Sequence, residues 1–305
     1  MVQGESLMVD FYKKIFKDRE KRLKLVSLLS FVPDELYIKI VFKIKTGKRL
    51  NLKNPQTFNE KLNWLKLHGK REEYTDLADK LKAREYISKT LSPDYLFPLL
   101  GVWDSFEEID FDALPESFAL KCNHDSGSVK LIADKTKADK KALSKFFKGR
   151  LSINPYYLGR EYPYKNIKPK IIAEEFMKSS DGKGIRDYKY FCFNGEPRLM
   201  FVASDREADV KFDFFDMDFN HLDIYNIHPN AEIVPERPQS FEKMKELCRI
   251  LTKGMPFVRL DLYEIDSRVY FGEFTFFHGG GFYEFFPDEW NKKLGDLIDI
   301  SGVKD

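Results

Sequence analysis

Residues 257–276 read FVRLDLYEIDSRVYFGEFTF, and the rest of the chain is understood outward from them. Val258, Leu260 and Leu262 alternate with Arg259, Asp261 and Tyr263, the two-residue period of a strand with one apolar and one polar face. Beyond Asp266-Ser267-Arg268 the texture resumes, which predicts a hairpin of strands 257–265 and 269–277. A three-residue loop sets Asp261 opposite Glu273 and Arg259 opposite Thr275, with Phe271, Glu273 and Thr275 on one face. Directly opposed side chains have Cβ atoms roughly 4.5–5.5 Å apart, where two carboxylates repel. A divalent cation removes that cost, and Mg²⁺ takes one or two carboxylates together with phosphate oxygens. Two other readings stand beside the metal site. The register can slip by one residue and separate the acids, or Arg259 can simply neutralise them.

Upstream, 187–193 and 196–203 flank Asn194-Gly195, the strongest two-residue hairpin signal because both positions tolerate positive φ. Another hairpin spans 117–122 and 129–133 around a six-residue polar loop, 123–128, and 170–177 reads as a further strand leading to a flexible connection at 179–184. Helices are expected at 137–150 and 239–253, and Gly279, Gly280 and Gly281 precede a loop and a last helix. Residues 1–90 read as mainly helical. Thr57 and Glu60 have capping-box spacing, and a second helix is expected from Thr75 through Asp79, Lys80 and Arg84 towards Lys89. Hairpins alternating with helices imply an α+β fold with largely antiparallel sheets. There is no βαβ run, no GxGxxG and no GxxxxGK[ST], which removes dinucleotide-fold and P-loop readings.

The 305 residues suffice for one large domain or two lobes. A hydrophobic share of 43% and a charged share of 33% are those of an ordinary soluble chain. A net charge of +2 lacks the basic excess that a nucleic-acid partner calls for. The 28 Phe read as core packing. Cys122, Cys192 and Cys248 lie far apart without CxxC spacing, which reads as reduced cytosolic thiols and not as a zinc site. The polar N-terminus does not read as a signal peptide. Apolar runs at 25–31 and 36–42, broken by Pro33, Asp34 and Glu35, are too short to span a bilayer and read as two short helices joined at a corner. A cytoplasmic protein with a weak contact at the inner membrane face is compatible with them.

Lys121 closes the strand Phe118-Ala119-Leu120 beside a loop holding Ser126 and Gly127. Loop N–H groups and an ammonium can cradle one phosphate, although a strand-end Lys also snorkels to water. Glu174 and Glu175 end the strand Ile171-Ile172-Ala173, where acids can bind a ribose hydroxyl or an exocyclic amine, and Asp187 and Lys189 share a strand face. His124 in the loop and His278 beside the glycines read equally as ligand contacts or as solvent-facing side chains.

The order of these features resembles the ATP-grasp superfamily, and the wording resembles the TupA-like ATP-grasp family, tied to teichuronopeptide and other surface polysaccharides. The matching segments are NPQTFNEKLNWLKL (54–67), DLADKLKAREY (76–86), LPESFALKCNHDSGS (114–128), EYPYKNIKPKIIAEEFM (161–177), DYKYFCFNGEP (187–197) and FVRLDLYEIDSRVYFGEFTF (257–276). Beyond a region at 1–94 that reads as helical, the resemblance implies a small lobe at 95–178 and a large lobe at 179–305 that together grip ATP. It implies that Lys80 and Lys121 bind phosphates, that Glu174, Glu175, Phe176 and Met177 form an adenine-contacting hinge, and that Asp187 or Asp181 holds the ribose near Lys189. Asp261 and Glu273 become Mg²⁺ ligands, and Arg259 steadies the phosphate or acyl-phosphate. Two departures stand out: Thr275 replaces the usual Asn of a Glu-x-Asn motif, and the N-terminal region does not read as the usual α/β domain.

The implied chemistry is a carboxylate attacking the γ-phosphate, then an amine attacking the acyl-phosphate, with Arg206, Gly279 and Gly280 as acceptor contacts. The expected substrates are a glycan or uronic-acid carboxylate and an amine such as an amino acid. Rival classes are a glycosyltransferase, a non-catalytic glycan-binding protein and an ATP-grasp phosphotransferase. Asp216-Met217-Asp218 has DxD spacing, but in an aromatic-rich loop.

Overall fold

A computed structural model of the chain describes residues 19–180, 185–204 and 210–303. The N-terminal region is helical, as expected: α1 (Arg19–Ser27), α2 (Asp34–Thr46), α3 (Phe58–His68), α4 (Glu73–Ala78) and α5 (Lys80–Thr90). At α3 the Thr57 hydroxyl accepts from the Glu60 N–H at 3.4 Å and the Glu60 carboxylate accepts from the Thr57 N–H at 3.0 Å. The single helix expected from Thr75 is two. Asp79 leaves helical geometry (φ −74°, ψ 115°) and its carboxylate caps α5 through Leu81 N–H.

Two antiparallel sheets follow. The smaller has strand order β1 (Leu99–Trp103), β4 (Ile171–Glu175), β2 (Phe118–Cys122), β3 (Lys130–Ile132). Phe118, Leu120, Ile171 and Ala173 face Phe147 and Leu143 of α6 (Lys140–Leu151) in its own core. A short α7 (Tyr156–Gly159) precedes β4. The larger sheet has the order β10 (Arg268–Thr275), β9 (Phe257–Ile265), β5 (Arg186–Phe193), β6 (Glu196–Ser204), β7 (Lys211–Phe215), β8 (His221–Leu222). Asn194 and Gly195 both have positive φ, 52° and 86°, in the tight β5–β6 turn. One face of this sheet carries Tyr188, Tyr190, Leu260 and Leu262, and buried Met244 and Leu247 of α8 (Phe241–Leu251) join their core. The other face is apolar at one end, where Phe58 packs on Phe191, Phe193, Phe257 and Phe285, and polar towards the smaller sheet. α9 (Glu289–Asp296) closes the apolar end: Gly295 lies so near α3 that a Cβ there would fall 2.1 Å from the Gln56 carbonyl oxygen.

The β9–β10 hairpin differs from expectation in two ways that cancel. Its turn has two residues, Asp266 and Ser267 (φ 50° and 63°), so Arg268 pairs with Ile265. Continued straight, that register would put Glu273 opposite Leu260, on the apolar face. A bulge at Gly272 inserts one residue between the pairs Phe271–Leu262 and Glu273–Asp261. Asp261 thus lies opposite Glu273 and Arg259 opposite Thr275, as expected. Phe271 does not share their face: the bulge turns it beside Phe274, with ring centroids 5.1 Å apart, in the core.

Candidate active site

The site lies where α5 and the loop after β2 meet the polar end of the larger sheet. Asp79 and Lys80 dock on that loop through backbone and side chain. Lys80 N–H donates to Asn123 O at 3.1 Å and Asn123 Nδ2 donates to the Asp79 carboxylate at 2.9 Å. The Lys80 ammonium then reaches Asp125 O at 2.5 Å and stands 3.8 Å from Glu273 Oε2. It joins the loop of one sheet to the edge strand of the other. The loop is held from behind: buried Arg150 pairs with the Asp125 carboxylate and donates to Ser126 O at 2.6 Å, while Cys122 N–H donates to Ser128 Oγ at 2.8 Å. Gly127 has φ 76°, a conformation that favours glycine. His124 faces neither phosphate space nor water; it is buried with Nε2 3.3 Å from Ile153 O, and burial lowers its pKa.

On the larger sheet, Lys189, Asp261 and Glu273 lie side by side on β5, β9 and β10. Asp261 is buried, and Arg259 grips it with two hydrogen bonds, Nε to Oδ1 at 2.6 Å and Nη2 to Oδ2 at 2.7 Å. Lys189 bonds the same Oδ2 and also pairs with Asp187 at 2.6 Å. Arg259 Nη2 further donates to Thr275 Oγ1 at 3.0 Å and lies 3.5 Å from Glu273 Oε1. Burial opposes ionisation of Asp261, but Arg259 and Lys189 outweigh it and hold its carboxyl below the usual range. Three cations, Lys80, Lys189 and Arg259, so neutralise three acids, Asp187, Asp261 and Glu273.

His278 extends the network. Its Nδ1 is 3.0 Å from Arg259 Nη1 and its Nε2 is 2.8 Å from Asn226 Oδ1. A guanidinium only donates, so Nδ1 accepts and the ring proton sits on Nε2. Asn226 Nδ2 donates to Tyr283 O at 3.2 Å and Glu284 O at 2.9 Å, which leaves its oxygen for His278. Burial, then the Arg259 charge, pushes the His278 pKa well below the usual value and keeps the ring neutral. The solvent-facing and ligand-contact readings of His278 both give way to a prop beneath Arg259.

A second polar cluster lies on the smaller sheet. Glu174 is flanked by Lys121 at 2.5 Å and Arg84 at 3.0 Å, and Arg84 also donates to Phe97 O at 2.7 Å. Glu175 is exposed, with its N–H on Pro98 O at 3.0 Å, and Phe176 and Met177 are half-buried beyond it. Gly279, Gly280 and Gly281 all have positive φ (57°, 65°, 69°). Gly280 N–H donates to Phe277 O at 2.8 Å, and buried Lys66 donates to Gly280 O at 2.5 Å and to Asn63 Oδ1 at 2.9 Å. Arg206 and Asp181 lie outside the described residues. Asn226, Arg84, Arg150 and Lys66 were not singled out from the sequence. Each reaches a partner 13 or more residues away in the chain, which no local pattern announces.

Asp261, Glu273 and Thr275 are hard oxygen donors converging across one hairpin, the donor type Mg²⁺ takes when it shares phosphate oxygens. Glu273, with 31% of its side chain exposed, is the open member; Asp261 has both oxygens on cations. Among the described residues no cluster of three or more His, Cys, Asp or Glu forms an all-protein metal cage. By donor chemistry the partly exposed Glu273 carboxylate, with Asp261 and Thr275 beside it, fits a metal that also takes phosphate oxygens.

Lysines set against an acid-lined antiparallel sheet, with a second sheet and its Gly/Ser loop opposite, define an ATP-grasp enzyme. The chain belongs to the TupA-like ATP-grasp family, whose model matches residues 60–299. Similar solved structures include D-alanine–D-alanine ligase from Bacillus anthracis, with 13% identity over 80% of this chain and 69% of that one and a TM-score of 0.41. The Helicobacter pylori D-alanine–D-alanine ligase has 14% identity, covering 79% and 69%, with a TM-score of 0.39. N5-carboxyaminoimidazole ribonucleotide synthetase from Thermus thermophilus has 10% identity, covering 66% and 45%, with a TM-score of 0.36. The chain spans between 45% and 69% of the length of these proteins. No curated protein sequence matches it.

Proposed function

We propose that the chain phosphorylates a sugar carboxylate, that of a uronic acid in bacterial surface-polysaccharide or capsule synthesis, and joins it to an amino acid or similar amine. The observation that carries the reading is Lys80 spanning from Asp125 O to Glu273 beside the Lys189–Asp261–Arg259 cluster. A magnesium nucleotide brings charge of both signs. Lys80, Lys189 and Arg259 would hold phosphates, and Glu273, with Asp261 and Thr275, would hold the metal. When bound, Mg²⁺ supplies charge neutralisation at the phosphates. Ser126 and Gly127 offer loop N–H groups to phosphate. Lys121, paired with Glu174, is proposed on the phosphates together with Lys80, and Glu174 to Met177 are proposed on the adenosine. Asp187, buried under Lys189, acts through that lysine.

The carboxylate oxygen attacks the γ-phosphorus, the bond to the bridging oxygen breaks, and ADP leaves. The amine nitrogen then attacks the acyl carbon, the C–O bond to phosphate breaks, and the nitrogen gives up a proton. Arg259 is proposed to offset charge on the transferring group, a role supported by Asp261 and His278 fixing its plane from two sides. Arg206, Gly279 and Gly280 are proposed on the acceptor side. Work in the cytoplasm at the inner membrane face suits a glycan acceptor.

The test is ADP release with Mg²⁺, a uronic-acid panel and an amino-acid panel. Release that needs both co-substrates supports ligation. Stable phosphorylated product without amine incorporation indicates a phosphotransferase. UDP or UMP release from a nucleotide sugar with no ATP turnover overturns the reading in favour of a glycosyltransferase.

A further inference from the structure

The N-terminal helix pair carries a surface that the cleft does not use. α2 buries Tyr37, Ile38 and Phe42, which pack with Val26 and Phe282. Its opposite side exposes Leu36, Ile40 and Ile44, four residues apart and hence one stripe. The corner before it adds Leu28, 68% exposed, Leu29, and Phe31, 80% exposed. Single apolar residues are ordinary on a surface; so many in one short segment form a patch that marks an interaction site.

The charge around the patch selects its partner. Lys24, Lys39, Lys43, Lys45, Lys48 and Arg49 are all exposed, and on the helical wheel Lys39 and Lys43 border the stripe. The nearby acids are engaged: Asp34 accepts from Tyr156 at 2.7 Å, Glu284 and Asp288 pair with Lys48 at 2.7 and 3.0 Å, and Glu35 pairs with Lys39 at 2.5 Å in an exposed, exchangeable ion pair. Residues 19–50 hold nine Lys or Arg against three Asp or Glu, while the whole chain is only +2, so the remainder is net acidic. An apolar stripe bordered by lysines, in a segment with six more basic than acidic residues, matches a lipid interface carrying negative headgroups.

We propose that the face formed by Leu28, Phe31, Leu36, Ile40 and Ile44 docks on an anionic lipid surface, with Lys39 and Lys43 on the headgroup phosphates. No helix among the described residues is long and apolar enough to cross a membrane, so the contact is peripheral. Arg160 ties this face to the rest of the chain. It donates to Leu29 O at 2.8 Å and lies over the Tyr37 ring at 4.4 Å, contacts that anchor both the corner and α2. The proposal does not depend on which carboxylate the active site phosphorylates.

The experiment is co-sedimentation of the full chain with phosphatidylcholine vesicles and with vesicles containing phosphatidylglycerol as well. Binding is expected only with phosphatidylglycerol and falls as salt is raised. Each lysine near such a surface adds about 1 kcal/mol, or roughly fivefold, so Lys39→Glu/Lys43→Glu should weaken partitioning by about 25-fold or more. Ile40→Asp should also weaken it, with far-ultraviolet circular dichroism unchanged for both variants. Equal binding to both vesicle types, no binding to either, or full binding by the charge-reversed variant overturns the proposal. So does concentration-dependent dimerisation that Ile40→Asp abolishes, which would make the patch a contact between copies of the chain.

Discussion

Gly272→Ala tests the feature on which the active site turns. A Cβ on Gly272 would lie 2.9 Å from the Asp261 carbonyl oxygen and 2.9 Å from Tyr263 Cε2. The tyrosine ring can swing aside, but the carbonyl is part of the β9–β10 pairing and cannot. Straightening the bulge would relieve the clash, yet it would carry the Glu273 carboxylate to the apolar face beside Leu260. Burying an unpaired carboxylate costs more than the strain it removes. The hairpin should therefore keep its register and carry the overpacking cost, about 1–3 kcal/mol. For a chain of this size each kcal/mol lowers Tm by roughly 2–4 °C, so a fall of about 2–12 °C is expected. ATP turnover should fall further than stability does, because the displaced strand carries Glu273. Thermal melts and ADP release would be read beside Gly302→Ala, whose Cβ meets nothing within 4 Å. If Gly272→Ala melts and turns over like wild type, the bulge is not what sets the two carboxylates, and the reasoning is refuted.

Three further outcomes follow from the same geometry. Asp261→Asn should cost about 3–5 kcal/mol in urea titrations, because Arg259 and Lys189 lose a buried counter-charge. The Asp261 carboxyl is held below the usual range in the fold. Its contribution is therefore present above the unfolded value of about 4 and lost as pH falls through the folded value; the variant should lack that part of the acid-induced loss. Glu273→Gln should leave stability within about 1 kcal/mol, since its pairs are partly exposed, yet abolish ATP turnover; intact turnover removes Glu273 from the proposed metal set. Cys122, Cys192 and Cys248 are buried, and burial pushes the Cys122 thiol up to about 12. A thiol reagent at pH 8 should label none of them until denaturant is added, and fast labelling of the native chain would contradict the packing.

Local features of the molecule are written in local sequence. Thr57 and Glu60 form their capping box, Asn194-Gly195 makes its turn, and the alternation from Val258 to Tyr263 sets two strand faces, because each depends on neighbours a few residues away. The family, too, was legible in six ordered segments. A three-residue turn predicts the pairing of Asp261 with Glu273, whereas the chain reaches it with a two-residue turn and a bulge. No local rule distinguishes those routes, since Gly272 reads as a strand glycine until the Asp261 carbonyl oxygen is seen against it. Gathering Lys80, Lys189 and Arg259 on those acids, and placing His278 with Asn226 beneath Arg259, was decided by tertiary structure alone. These contacts join strands and helices far apart in sequence, and the buried charges keep their positions because each is paired within the fold.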